Sequence, residues 1–239
     1  MLSVATVQNL CFGGGVRGAA ALIKLFCGFD PREAIGWHAF AQSVIEKCSE
    51  PLAILPIPGN QNDGSNLFTY SRFLVPELCG WAGWAIYADG ADMLLRADLS
   101  ELWSLRDNRY AVQVVKHDYQ TKHPVKYVGT ELETKNENYP RKNWSSLVIW
   151  NCGHWSHFNN REKLGGDDGK FLHRFSWLKD EEIGELPAAW NWLADEYGEN
   201  PEAKLLHWTA GQPGFYHYKN SPHSSEWRDS VRNVTRGMD

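Results

Sequence analysis

Trp84-Ala85-Ile86-Tyr87-Ala88-Asp89-Gly90-Ala91-Asp92-Met93-Leu94-Leu95 is the stretch whose reading decides the fold. The aromatic and branched apolar residues up to Ala88 describe a buried strand. It stops abruptly on two carboxylates, with Gly90 and Ala91 between them. Strands buried on both faces by crossover helices present ligands beyond their carboxyl ends. Two acids there can hold magnesium or manganese, because such cations take oxygen ligands from one or two carboxylates together with substrate phosphates. The stretch therefore points to a metal–diphosphate site at the mouth of an α/β sheet. A plainer reading stands beside it, in which Asp89 caps a turn and Asp92 is solvated.

Working outward, 239 residues with 43% apolar and 22% charged side chains suit one packed α/β domain. A formal charge of −5 gives no electrostatic reason to expect nucleic acid or an anionic membrane as partner. The five cysteines are odd in number and form no CxxC pair, which predicts free thiols in a reducing, cytoplasmic setting. No uncharged apolar run reaches the ~18 residues of a membrane span, and the opening segment lacks the basic start of a signal peptide. Residues 1–22 read as a loose leader, and most of the twelve tryptophans as core.

Upstream of the acid pair, Lys24–Asp30 reads as the first strand. Asp30-Pro31-Arg32-Glu33 follows as a helix start, with Asp as N-cap, Pro in the first turn and Glu at the capping-box position. The helix should run to about Cys48, and Leu52–Ile57 should return as a parallel second strand. Residues 58–65 form a loop by composition and Asn66–Leu74 a short helix stopped near Pro76. Downstream, Asp98 caps a small helix through Trp103, and Tyr110–Lys116 is a strand ending on His117-Asp118. Residues 119–142 are a polar excursion bordering the site. Ser146–Trp150 is a strand stopping at Asn151, 165–169 is a turn, Phe171–Leu178 is helical, and Lys204–Trp208 is a last short strand. After Lys219 the chain is polar and reads as a mobile tail, leaving 23–218 as the domain.

Three pieces in this order carry a family resemblance: Asn66-Leu67-Phe68-Thr69-Tyr70-Ser71-Arg72 through Leu78; Tyr87 through Trp103; and His207-Trp208-Thr209-Ala210-Gly211-Gln212-Pro213. Together they resemble the retaining glycosyltransferases of the glycogenin and lipopolysaccharide-galactosyltransferase type (glycosyltransferase family 8-like), over roughly residues 24–215. The resemblance implies a GT-A-like single domain with a mostly parallel central sheet flanked by helices. It also implies transfer of a sugar from a nucleotide diphosphate, uridine diphosphate by likeness, to a glycan or protein acceptor. The acids Asp89 and Asp92 and the later His207 are carried over as ligands of manganese (or magnesium). A cation there would stabilise charge on the departing diphosphate.

This chain departs from the family pattern in three places. Its acids are spaced Asp-Gly-Ala-Asp rather than Asp-x-Asp, so Gly90 must absorb one residue as a bulge or tight turn for Asp92 to face the metal. Gln212 stands where the family has a lysine before its proline. The acceptor-side Asp-Gln-Asp has no clear match; near its place stand Leu172-His173-Arg174-Phe175 and then Asp180, the third catalytic candidate.

Other candidates have two readings each. Asp30 either caps its helix or meets the nucleotide, and the two are compatible. Arg72 contacts the nucleotide or pairs with an acid of the Asp89 loop. His117 and Asp118 bind sugar or form a solvated turn. Asn143, Ser145 and Asn151 offer amide and hydroxyl groups to sugar hydroxyls, and Trp144 stacks on a ring face or belongs to the core. His154, His157, Asp167, Asp168 and His173 fit no compact zinc set. Two rivals remain open: a sugar- or partner-binding protein that has kept the fold without catalysis, and a metal-dependent phosphohydrolase or nucleotidyltransferase.

Overall fold

The computed structural model describes residues 22–59, 66–166 and 168–236. The expected leader apart from Leu22, Cys11 within it, most of the 58–65 loop and Asp167 lie outside them. Strand β1, Ile23–Phe29, is buried almost along its whole length, as its unbroken apolar run requires. Asp30 then leaves the strand in extended conformation and accepts from Arg32 N at 3.0 Å, with Pro31 behind it. This is the start from which helix Ala34–Lys47 grows. β2, Leu52–Pro58, pairs parallel to β1 from Ile23↔Leu52 to Phe29↔Pro58, the expected β-α-β unit.

β3, Trp84–Ala88, lies on the other side of β1 and parallel to it, and β4, Met93–Leu95, follows the acid loop. β5 is Val112–Val114, and β6, Val125–Lys126, forms a small hairpin with β7, Thr134–Lys135. The chain continues through β8, Leu147–Asn151; β9, Ile183–Glu185; β10, Trp192–Leu193; and β11, Leu205–His207. The main sheet has the order β2-β1-β3-β8-β5-β9, in which β8 alone is antiparallel to its neighbours β3 and β5. A second sheet, β10-β11-β4, sets β11 antiparallel to β4, with His207 opposite Met93. That pairing draws a residue over a hundred positions downstream next to the acid loop.

Helix Ala34–Lys47 covers one face of the main sheet through Phe40 and Val44, which join Ile86 and Met93. The other face is aromatic: Phe73 packs edge-on to Trp150 and Trp177, and the two indoles stack at 6.5 Å. Of the twelve tryptophans only Trp155 is largely exposed, so their abundance is a packing feature. No helix among the described residues is long and apolar enough to cross a membrane.

Several expectations are corrected. The polar segment after Lys219 is not a mobile tail: Ser224–Thr235 is a helix that buries Trp227, and Ser230 Oγ donates to Ala39 O at 2.6 Å. Its few apolar residues lie on one face, so low mean hydropathy concealed a docked amphipathic helix. Pro76 begins helix Val75–Leu78 instead of ending the preceding segment, because a proline in the first turn has no hydrogen bond to lose. The helix expected over Phe171–Leu178 is Gly169–His173, followed by left-handed Phe175.

Asp98 caps helix Leu99–Ser104 as expected: its Oδ1 accepts from Ser100 N at 2.9 Å and from Ser49 N at 3.1 Å. Burial opposes this carboxylate, but the hydrogen bonds from Ser49 and Ser100 outweigh it and hold the pKa at about 2 instead of 3.8. Asp98→Ala should cost about 1 kcal/mol. A group depressed in the folded state contributes fully above its unfolded pKa, so the difference between wild type and variant should be constant from pH 5 to 7. It should then fade as pH drops from 3.8 towards about 2, checked by urea unfolding at each pH.

Candidate active site

The turn after β3 is built around Gly90, at φ +84°, in the left-handed region where a side chain is strained. Asp89 N donates to Ser146 O at 2.9 Å, Ala91 N to Asp89 O at 3.1 Å, and Met93 N to Gly90 O at 3.0 Å. The tight turn takes up the extra residue of Asp-Gly-Ala-Asp and returns Asp92 to the same side as Asp89. Trp208 N donates to Asp92 O at 2.9 Å, fixing the β11 end against the loop. Asp89, Asp92 and His207 thereby offer ligand atoms that all lie within 4.8 Å of one another.

Each member is oriented by a neighbour. Asp89 Oδ1 accepts from Tyr87 Oη at 3.0 Å and pairs with Arg72 Nη1 at 2.7 Å. Arg72 is itself buried and donates further to Thr69 O and Ser145 O, each at 3.0 Å. His207 Nδ1 meets Asn191 Oδ1 at 2.9 Å, and its Nε2 faces Asp92 Oδ2 at 3.4 Å. With Nδ1–H donating to that amide oxygen, Nε2 is the nitrogen left to ligate a metal, the arrangement by which an outer carbonyl would set a metal-binding imidazole. Asp92 Oδ1 is buried with no hydrogen-bond partner.

Burial disfavours the charged form of His207, yet Asp92, with Asp89 and Asp195 behind it, outweighs this and holds the pKa above its ordinary 6.5. Burial also raises Asp89, with Arg72 pulling it back and Asp92 adding to the rise. Glu33 is buried 1% exposed, raised well above the carboxylate range by that burial and then by Asp92. Asp92 thus faces the imidazole with one oxygen unpartnered, while Arg72 answers only Asp89. Two acids and one imidazole fit manganese, and magnesium less well, since imidazole is the softer ligand.

The remaining candidates divide. Asp30 is wholly buried with both oxygens engaged, Oδ1 by Arg32 N and Nε and Oδ2 by Arg32 Nη2 and Leu67 N. The capping reading is the one its contacts display. Asn143 is left-handed and donates to Tyr119 Oη at 2.6 Å, while Ser145 Oγ meets His173 Nδ1 at 2.8 Å. Trp144 is half-buried, donates to His117 O at 2.9 Å and carries the Arg141 guanidinium 5.2 Å over its ring. His117 and the exposed Asp118 line a cavity of about 370 Å³ with Tyr139 and Arg141. His117 Nδ1 faces Tyr197 Oη at 3.2 Å, and its buried Nε2 has no partner. Burial and then His207 push its pKa down to about 3, keeping the ring neutral.

Two candidates do not join the site. Asn151 sits opposite Trp84, the entry end of β3, because β8 runs antiparallel; its side chain donates to Tyr110 O at 3.1 Å. The antiparallel course of β8 puts its carboxyl end at the edge of the sheet away from the acid loop. Asp180 is 88% exposed and paired with Arg141, apart from the three ligand residues. Asn191 was not singled out in the sequence, and Tyr87, though it opens the quoted acid stretch, was given no role there; both roles arise from tertiary placement.

No family model matches the chain. It is 36% identical over 231 residues to Protein CDI of Arabidopsis thaliana, covering 89% of this chain and 87% of that protein. Among solved structures it is similar to the bifunctional glycosyltransferase WbbM, at a TM-score of 0.61 and 13% identity over 94% of this chain and 52% of that one. GlyE of Streptococcus pneumoniae TIGR4 gives 0.59 and 13% over 88% and 60%. The galactosyltransferase LgtC, in complex with donor and acceptor sugar analogues, gives 0.59 and 10% over 89% and 96%. The chain thus spans about half the length of WbbM and three fifths of GlyE. Its mixed α/β architecture is that of the GT-A glycosyltransferases.

Proposed function

The chain belongs to the family of Protein CDI of Arabidopsis thaliana, and from that starting point we propose that it is a metal-dependent glycosyltransferase using a nucleotide-diphosphate sugar. The single observation that carries this reading is the convergence of Asp89, Asp92 and His207 at the carboxyl end of the parallel strands. In such sheets ligands bind at that edge. When bound, a divalent cation would neutralise the charge left on the diphosphate as the sugar departs. Arg72 keeps Asp89 in place; Asp30 orders Arg32 and the Leu67 backbone at the nucleotide end. Asn143, Trp144, Ser145, His117 and Asp118 border the space for the donor sugar.

By the resemblance to the glycogenin type, the donor is a uridine diphosphate sugar and transfer proceeds with retention. The bond from the sugar's anomeric carbon to the diphosphate oxygen breaks, and the acceptor hydroxyl oxygen bonds to that carbon on the same face. The hydroxyl proton passes to the departing phosphate oxygen. The free thiols of Cys27, Cys48, Cys79 and Cys152 support a cytoplasmic setting as part of the proposal.

A manganese-dependent hydrolysis screen across a panel of nucleotide sugars tests it. Slow release of one free sugar together with its nucleoside diphosphate is expected; release of inorganic phosphate or pyrophosphate would favour a phosphohydrolase or nucleotidyltransferase. A second reading, a binding protein without catalysis, draws on Gln212: the amide is wholly buried, its two polar atoms lack partners, and it brings no charge. It predicts glycan binding indifferent to manganese and no hydrolysis.

A further inference from the structure

We propose that Lys126, carried to the acid cluster by the β6–β7 hairpin, grips the diphosphate of the donor; this rests on the glycosyltransferase reading above. The hairpin is fastened on both sides of the site. Tyr127, left-handed at φ +59°, donates its N–H to Ala210 O at 2.7 Å, three residues beyond His207. Its hydroxyl donates to Asn66 Oδ1 at 3.2 Å, and Asn66 in turn donates to Glu33. Lys126 is therefore placed by backbone and side-chain bonds between the segment after β11 and the one before Arg72, instead of hanging from a free loop.

Its ammonium is uncommitted. Beyond the backbone pairing of the hairpin, the Lys126 ammonium makes no hydrogen bond and no ion pair with any described residue and lies 5.2 Å over the Tyr127 ring. Burial works against the charge, and the groups that oppose this loss are Asp92, Asp89 and Glu33, the acids of the site. A half-buried cation that forgoes a partner of its own has an unmet electrostatic demand. The cavity it lines, about 370 Å³, also presents Lys135, Lys142, Asn136, Asn143 and Thr209. Lys142 Nζ is already spent, donating to Asn136 Oδ1 and to Glu137 O, each at 2.6 Å. Lys135 Nζ is paired with Glu137 Oε1 at 2.8 Å, so among the described residues of this cavity Lys126 is the cation left to meet an anion. Gln212 cannot serve: its side chain lies against helix Ala34–Lys47, where a Cβ on Gly36 would come within 2.3 Å of its Oε1.

The test is calorimetry on the full chain with manganese and the diphosphates of uridine, guanosine and adenosine, followed by the monophosphate of whichever base binds. Lys126→Met should weaken the diphosphate by about ten- to hundredfold, a lost charge-assisted contact. Lys126→Arg should recover most of it, and the monophosphate should change less than threefold. Manganese alone should bind as well as before or better, since a repelling charge has gone. Unchanged diphosphate affinity in Lys126→Met would overturn the proposal while leaving the transferase reading intact. Equal losses for diphosphate, monophosphate and manganese would also overturn it, marking a structural role. Failure of wild type to bind any diphosphate would remove both.

Discussion

Asp92→Ala is expected to abolish manganese-dependent nucleotide-sugar hydrolysis, a fall of well over a hundredfold, while leaving the fold as stable as before. Groups one step removed from a metal cost about 10–100-fold when lost, so a direct ligand should cost more. Asn191→Ala, which frees His207 Nδ1, supplies the milder comparison, with a loss of about 10–100-fold. Stability should move the other way from activity. Asp92 pushes both Glu33 and Asp89 towards their protonated forms, so its removal relieves like-charge repulsion in a buried space and offsets the lost contact with His207. Thermal melting without metal should therefore be unchanged or higher for Asp92→Ala, whereas added manganese should raise the melting temperature of wild type only. Hydrolysis that survives the substitution would remove the metal from the reading.

Why the sequence disclosed this cluster but not its surroundings follows from what each residue's placement depends on. Asp89 closes an apolar run, and strand β3 is buried on both faces, so burial alone marked it as a strand and showed where it ends. The four-residue spacing was ambiguous because the answer lay in one backbone angle, φ at Gly90, which glycine allows and does not dictate. β8 was found as a strand with no direction assigned to it. An apolar run carries no sign of whether its neighbours run with or against it, and Asn151 was lost to the site for that reason. Asn191 reaches the cluster because β10, which follows it, pairs with β11; Tyr87 through β3; and Lys126 on a hairpin that Tyr127 fastens to the distant Ala210 and Asn66. Local patterning records which face is apolar; it does not record which polar side chain a distant strand delivers.

Arg72→Met should be the most destabilising single change at the site, by about 3–5 kcal/mol, since it strands a buried carboxylate instead of removing a buried pair. At roughly 2–4 °C per kcal/mol for a domain of this size, the melting temperature should fall by about 6–20 °C. Two carbonyls, Thr69 O and Ser145 O, lose their donor in the same step. Arg72→Lys should recover little, because one ammonium cannot reproduce the fixed fork that meets Thr69 O with Nε and Ser145 O and Asp89 with Nη1. Acidity discriminates this account from loss of packing. Burial already raises Asp89, and Arg72 is the main opposing influence, so the variant's carboxyl should titrate higher still. A carboxyl raised in the folded state weakens the fold above that pKa and ceases to do so once protonated. The deficit of Arg72→Met should therefore be largest at neutral pH and shrink as pH falls through the raised pKa. The double variant Arg72→Met with Asp89→Asn should recover part of the loss at pH 7, as urea unfolding would measure. A deficit independent of pH, with no recovery in the double variant, would assign Arg72 to packing against Phe68 and Tyr87 and sever its link to the acid that leads the site.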